Sequence, residues 1–129
     1  MSERTFSITG LDVSGYMVED ASRAIQFYRD VLGLEPTTVF PHGNGAEYEL
    51  ADGSTFELWR DGTTPFQPGN GILFAVDDFD AAVAALEVKG TPILAKSETS
   101  VCFIAIISDT EGNSVVLHKR KVSPLSSRS

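Results

Sequence analysis

The chain repeats itself. Val18-Glu19-Asp20 matches Val76-Asp77-Asp78, Ala24-Ile25 matches Ala82-Val83, and Gly53-Ser54-Thr55-Phe56-Glu57-Leu58-Trp59 matches Gly112-Asn113-Ser114-Val115-Val116-Leu117-His118. Self-similarity of this kind means one supersecondary unit used twice, each copy too small to bury its apolar face alone. A chain of 129 residues fits one domain, and folding buries roughly two-thirds of its unfolded surface. The two copies must therefore share a core.

Both copies read in the same order. Leu11–Val18 alternates as a strand does, with Val13, Gly15 and Met17 on one face and Tyr16 on the face that packs against a helix. Asp20 reads as the N-cap of an amphipathic helix over 21–32, in which Ala24, Ile25, Tyr28, Val31 and Leu32 recur at helical spacing. Gly33 ends it and Pro36 follows. Thr37–Phe40 is a loop or strand before the turn cluster Pro41–Gly45, and 46–50 and 54–59 form a hairpin around Asp52-Gly53. After a Pro/Gly-rich connector at 61–69, the strand carrying Ile72, Phe74 and Val76 opens the second copy. Asp78 caps its helix, Gly90 terminates it, 101–108 is an apolar strand, Asp109–Asn113 a turn, and 114–118 the last strand. This pattern predicts an α+β fold, a single domain over 1–119 built from modules at about 7–60 and 70–119, with a disordered tail at 120–129. Two mixed sheets should curve around a shared cavity, with Val13 facing Gly71, Glu57 facing Val116 and Trp59 facing His118.

Charge and composition exclude several classes of partner. A formal net charge of −8 argues against nucleic acid and anionic membrane surfaces, and it favours cationic ligands. No apolar run approaches the roughly 20 residues of a membrane span. The start, Met1–Thr5, lacks the apolar stretch of a secretory signal. A single cysteine, Cys102, allows no internal disulfide and agrees with a reducing, cytoplasmic setting. In its apolar strand it reads as a buried, inert thiol.

Chemistry concentrates in Thr55–Trp59. Alternation sends Phe56 and Leu58 to the core and leaves Glu57 between a hydroxyl and an indole on the other face. A carboxylate in a half-buried wall is costly without a partner. Glu57 is therefore the first candidate for touching a ligand or moving a proton. Trp59 can stack on a planar or cationic molecule. His118 lies on the corresponding face of the second copy, as acid/base, ligand contact or rim residue. Val13, Met17, Gly71, Leu73 and Val116 complete the expected ligand-binding set. His42, in a glycine-rich loop, reads as solvent-exposed. Whether Glu47 and Glu49 point inward or outward stays open from alternation alone.

Two stretches carry a family resemblance. Ala24-Ile25-Gln26-Phe27-Tyr28-Arg29-Asp30-Val31-Leu32-Gly33-Leu34 and Asp109-Thr110-Glu111-Gly112-Asn113 resemble the helix exit and the aspartate-proline-acid-glycine-asparagine turn of the vicinal oxygen chelate superfamily. That superfamily includes glyoxalase I, extradiol dioxygenases, fosfomycin-resistance enzymes and bleomycin-resistance proteins; Thr110 replaces the turn's proline. The resemblance implies two tandem βαβββ modules and a homodimer. It also implies metal ligands at four equivalent strand positions, here Val13, Glu57, Gly71 and Val116, of which only Glu57 can coordinate. A transition metal normally needs three or four protein ligands, so no metal site and no cofactor are expected, and a divalent ion is disfavoured. The scaffold hosts unrelated chemistries. Two readings follow: a metal-independent binder of a small aromatic or cationic molecule, or a glyoxalase-type lyase/isomerase or dioxygenase-like enzyme using Glu57 as base and His118 as acid or as an unusual metal ligand.

Overall fold

A computed structural model describes residues 5–121. The first module runs β1 (Ser14–Met17), α1 (Ala21–Asp30), β2 (Thr38–Phe40), β3 (Gly45–Glu49) and β4 (Thr55–Trp59). The second runs β5 (Ile72–Ala75), α2 (Phe79–Val88), β6 (Ala95–Glu98), β7 (Cys102–Ser108) and β8 (Ser114–Arg120). Each forms its own four-stranded mixed sheet, in the orders β1-β4-β3-β2 and β5-β8-β7-β6. The first strand of each sheet lies parallel to the last, and the other neighbours are antiparallel. The α+β architecture of two repeated modules is thus present, and both helices start where the aspartates require. Asp20 accepts the Arg23 amide and Asp78 the Ala81 amide, each at 3.0 Å.

Some boundaries move. β8 extends to Arg120 and Lys121 pairs with Glu98 at 2.6 Å, so residues 120 and 121, expected in the disordered tail, are ordered. Its remainder, from 122 on, lies outside the described residues. β6 is a strand that the sequence pattern does not announce. All four of its residues are exposed, and pairing with β7 rather than an apolar face makes it a strand.

The shared core is made by the helix-bearing faces of both sheets. Tyr28, Tyr48, Phe56 and Leu58 from the first module are buried in one cluster with Leu86, Ile107, Val115 and Leu117 from the second. Phe56 meets Phe74 edge-on across the module boundary, ring centroids 4.9 Å apart. Tyr16, also buried, reaches across to donate to the Ser114 carbonyl at 2.7 Å. Alternation then turns Glu57, Trp59, Val116 and His118 away from this core. The expectation that these residues look at one another within one chain is not met, because the opposite faces of the sheets supply the contact.

The turn Asp109–Asn113 locks the modules together. The Asp109 carboxylate accepts from the Tyr28 hydroxyl at 2.8 Å, the Glu111 and Asn113 amides, and the Asn113 side-chain amide. Asn113 Nδ2 also donates to the Met17 carbonyl at 3.0 Å, and its Oδ1 accepts from the Gly69 amide at 2.7 Å. Glu111, its side chain fully buried, accepts from the Glu19 and Asp20 amides and from Arg23 Nε, each at 2.8 Å. Thr110, in the place of proline, donates its hydroxyl to the same carboxylate. Burial alone would raise the Glu111 carboxyl. Arg23, the two amides and Thr110 overcome that and hold it at about 2.

Between about 2 and the ordinary value of 4.5, the unfolded chain binds the Glu111 proton and the folded chain does not. Glu111 therefore stabilises fully above that window and progressively less as the pH falls through it. Glu111→Gln is expected to destabilise by about 1–3 kcal/mol at neutral pH. Urea denaturation across pH 2 to 7 checks it: the variant should lose the wild-type slope between about 2 and 4.5 as well as the offset.

Candidate functional site

Facing away from the core, the first sheet presents an acidic and aromatic surface. In the register of β4 with its neighbours, Glu57 stands opposite Gly15 on β1 and Glu47 on β3, and Trp59 stands opposite Met17 and Gly45. Residues paired in this way share a face, which settles the orientation of Glu47. It lies beside Glu57, half-buried like Glu57, Trp59 and Met17, and Glu49 lies further out and exposed.

The two glycines shape this surface. A Cβ at Gly15 would overlap the backbone carbonyl of Glu57, and one at Gly45 would overlap that of Leu58. Side chains are excluded on one flank of Glu57 and one flank of Trp59 for packing reasons. At both positions the backbone of β4 approaches closer than any Cβ allows, which is why glycine stands there.

The corresponding face of the second sheet is hydrocarbon around His118, with Ser114 and Arg120 at the two ends of β8 on the same face. Val116 pairs with Leu73 and Ile106, and His118 with Ala75 and Ile104. Val13 and Gly71, both exposed, precede β1 and β5. Each expected site residue thus lies at or beside an open sheet face. Glu57, Trp59 and Met17 come together on the first sheet, and Leu73, Val116 and His118 on the second. His42 is exposed in a tight turn with φ 61°, next to the Phe40–Gly45 end of the first sheet.

Burial raises the Glu57 carboxyl, and the negative charge of Glu47 raises it further. Neither acid takes part in an ion pair among the described residues. A cation docking between them would relieve the repulsion. The donors do not fit a tightly held divalent metal. Val13, Gly71 and Val116 offer no ligand atom, and among the described residues no group of three or more His, Cys, Asp or Glu side chains could hold an ion.

A separate cleft of about 670 Å³ opens at the seam between the modules, bounded by the end of α1, the β3–β4 turn, β5 and α2. Of the expected site residues it contains only Leu73. Its walls come from six separate stretches of chain, and no local pattern in the sequence marks it.

Comparison with known proteins agrees with this architecture. Residues 10–117 match the profile of the Glyoxalase/Bleomycin resistance protein/Dioxygenase superfamily, and the chain belongs to that superfamily. Lactoylglutathione lyase from Agrobacterium tumefaciens superposes with a TM-score of 0.73 at 22% identity, over 87% of this chain and 94% of that one. The antibiotic-binding protein TnmS3 from Streptomyces sp. CB03234 gives 0.73 at 24%, over 90% and 99%. A glyoxalase/bleomycin resistance protein from Catenulispora acidiphila gives 0.67 at 21%, over 83% and 95%. At these identities the likeness is one of fold. No curated protein matches the chain significantly.

The Glu47–Glu57 pair yields a directional test. A folded carboxyl raised above its unfolded value holds more protons than the unfolded chain in the window just above that value. Glu57 therefore costs stability as the pH rises through that window. Glu47→Gln removes the smaller of the two causes. It should lower the Glu57 midpoint in a carboxyl-carbon NMR titration and stabilise the neutral-pH protein by about 0.2–1 kcal/mol. An unchanged midpoint would separate the two acids.

Proposed function

We propose that the protein binds a small molecule carrying positive charge and an aromatic or apolar body on the open face of its first sheet, without a metal. The observation that carries this reading is the direct pairing of Glu47 with Glu57 on a half-buried surface next to Trp59. Like charges directly opposite on a sheet repel, and a bound cation turns that repulsion into attraction. Trp59 supplies the stacking face, and the net charge of −8 draws cations from a distance. The fold is also that of an antibiotic-binding protein, which needs no catalytic step.

An isomerase or lyase reading gains from the raised Glu57 carboxyl, which suits a general base. Such chemistry also needs a group that holds a developing oxyanion. The two strand partners of Glu57 are a glycine and a second carboxylate. Binding is the better supported function.

The working form in this reading is a homodimer in the reducing cytoplasm. In each chain both sheet faces are half-open, one acidic and aromatic, the other largely hydrocarbon with His118 and, two residues on, Arg120. A second copy placing its second sheet over the first sheet would close a cavity and bring His118 of that copy opposite Trp59. The stretch before β1 supports the pairing. Phe6, Ile8 and Leu11 are 75, 85 and 90% exposed, a run of large apolar side chains that one chain leaves uncovered.

Two measurements test these statements. Thermal shift with a panel of aromatic amines and quaternary ammonium compounds should raise the melting temperature of the wild type. Glu57→Gln and Trp59→Ala should each lose most of the shift, and a panel without effect removes the reading. Sedimentation at low micromolar concentration should show a dimer that deletion of residues 1–9 weakens; a clean monomer refutes the closed cavity.

A further inference from the structure

The seam cleft is unlike the open faces. It is formed by helix ends and strand edges from both modules, with Val31, Leu34 and Leu50 on one side and Phe74, Ala82 and Leu86 on the other. Its volume of about 670 Å³ falls within the range of small-molecule sites, roughly 300–1,000 Å³, and such sites combine apolar walls with a few placed polar groups. Here those groups are Ser14, Asp52, Ser54 and Thr55, of which Asp52 alone carries a charge. That charge is held in place. The Ser54 amide donates to Asp52 Oδ1 at 3.0 Å and the Ser54 hydroxyl to the same oxygen at 2.5 Å.

We infer that the seam cleft is a second small-molecule site, taking a ligand with an apolar ring or short chain and one positive charge at its end. The apolar body lies between α1, α2 and β5 and loses its contact with water there. The charged end remains at the rim beside Asp52. One fixed anion on an otherwise hydrocarbon cleft prefers an amine over an alcohol, and an alcohol over a carboxylate, of the same shape. The walls come from both modules, so an occupant bridges them and stabilises their packing. The site is independent of the Glu57 surface. The two share no acid, and the only expected open-face residue in the cleft is Leu73.

Three probes of one shape test this: 4-phenylbutylamine, 4-phenylbutanol and 4-phenylbutyrate, titrated into the full-length protein and followed by amide NMR shifts. Saturable shifts at Val31, Ala82 and Leu86 are expected, with affinities of about millimolar or tighter in the order amine, alcohol, carboxylate. Asp52→Asn should weaken the amine by about twofold to fivefold, to the level of the alcohol, and leave the alcohol unchanged. Ala85→Trp should abolish all three sets of shifts by filling the cleft. Ala51→Trp, on the exposed β3–β4 turn, should do the same and carries no burden on the core. Glu57→Gln should leave these shifts intact. Saturable shifts confined to Glu57, Trp59 and their neighbours would overturn the seam site and leave the open-face reading standing. Equal affinities for the three probes would overturn it, as would no saturable shift up to ten-millimolar probe. So would binding that arises only after deletion of residues 1–9, since the N-terminal arm would then be the occupant.

Discussion

The architecture hangs on the two carboxylates of one turn. Asp109 gathers its own turn and reaches Tyr28 of the other module, and Glu111 takes up the amides that open α1. A helix start leaves several amides without partners inside the helix. Asp20 satisfies one from within its module, and Glu111 satisfies others from the far module. An anion at that end also suits the helix dipole. The first module therefore completes its helix by accepting a charge from the second. The two units cannot rotate freely about their connector without exposing a buried carboxylate and leaving the Glu19 and Asp20 amides without their partner.

That constraint decides which surfaces are left for function. Once the helix-bearing faces meet around Phe56, Phe74 and Leu117, the opposite faces of both sheets are turned outward. Duplication would make these faces alike, and they are not. The first sheet carries acids and an indole where the second carries aliphatic side chains, an imidazole and, at its end, the Arg120 guanidinium. Unlike surfaces of the same shape are suited to meeting each other, and within one chain they point apart. Divergence between the copies has left the two outward faces chemically different, the property that the proposed dimer uses.

How much of this was legible depended on range. The repeat, both helices, their aspartate caps, the Asp52-Gly53 hairpin and the burial of Tyr16 and Cys102 are written in patterns a few residues long, and the structure has them. β6 was invisible because Ala95-Lys96-Ser97-Glu98 buries nothing and is held by backbone pairing to β7. Alternation showed which residues share a face with Glu57. It could not show which face would meet the other module, because contacts such as Tyr28–Asp109 and Phe56–Phe74 join residues far apart in the chain. The orientation of Glu47 needed the register of β3 against β4. The seam cleft needed the packing of both modules.

The most informative oddity is the one the fold has no use for. A sheet can place Glu47 opposite Glu57 only at some cost in repulsion and desolvation, and the described residues bring no lysine or arginine into an ion pair with either acid. The neighbouring strand offers only Gly15 there, because a Cβ at that position would overlap the Glu57 carbonyl. Protonation can relieve such a pair, and so can a cation from outside. Burial and the charge of Glu47 raise the Glu57 carboxyl, which favours the first route. Because both routes act on the same charge, they compete. A positively charged ligand must displace a proton in the window where Glu57 still holds one, and a neutral ligand need not. In the proposed binding mode the surface therefore discriminates by charge before it discriminates by shape, and the indole of Trp59 is what remains to read the rest of the molecule.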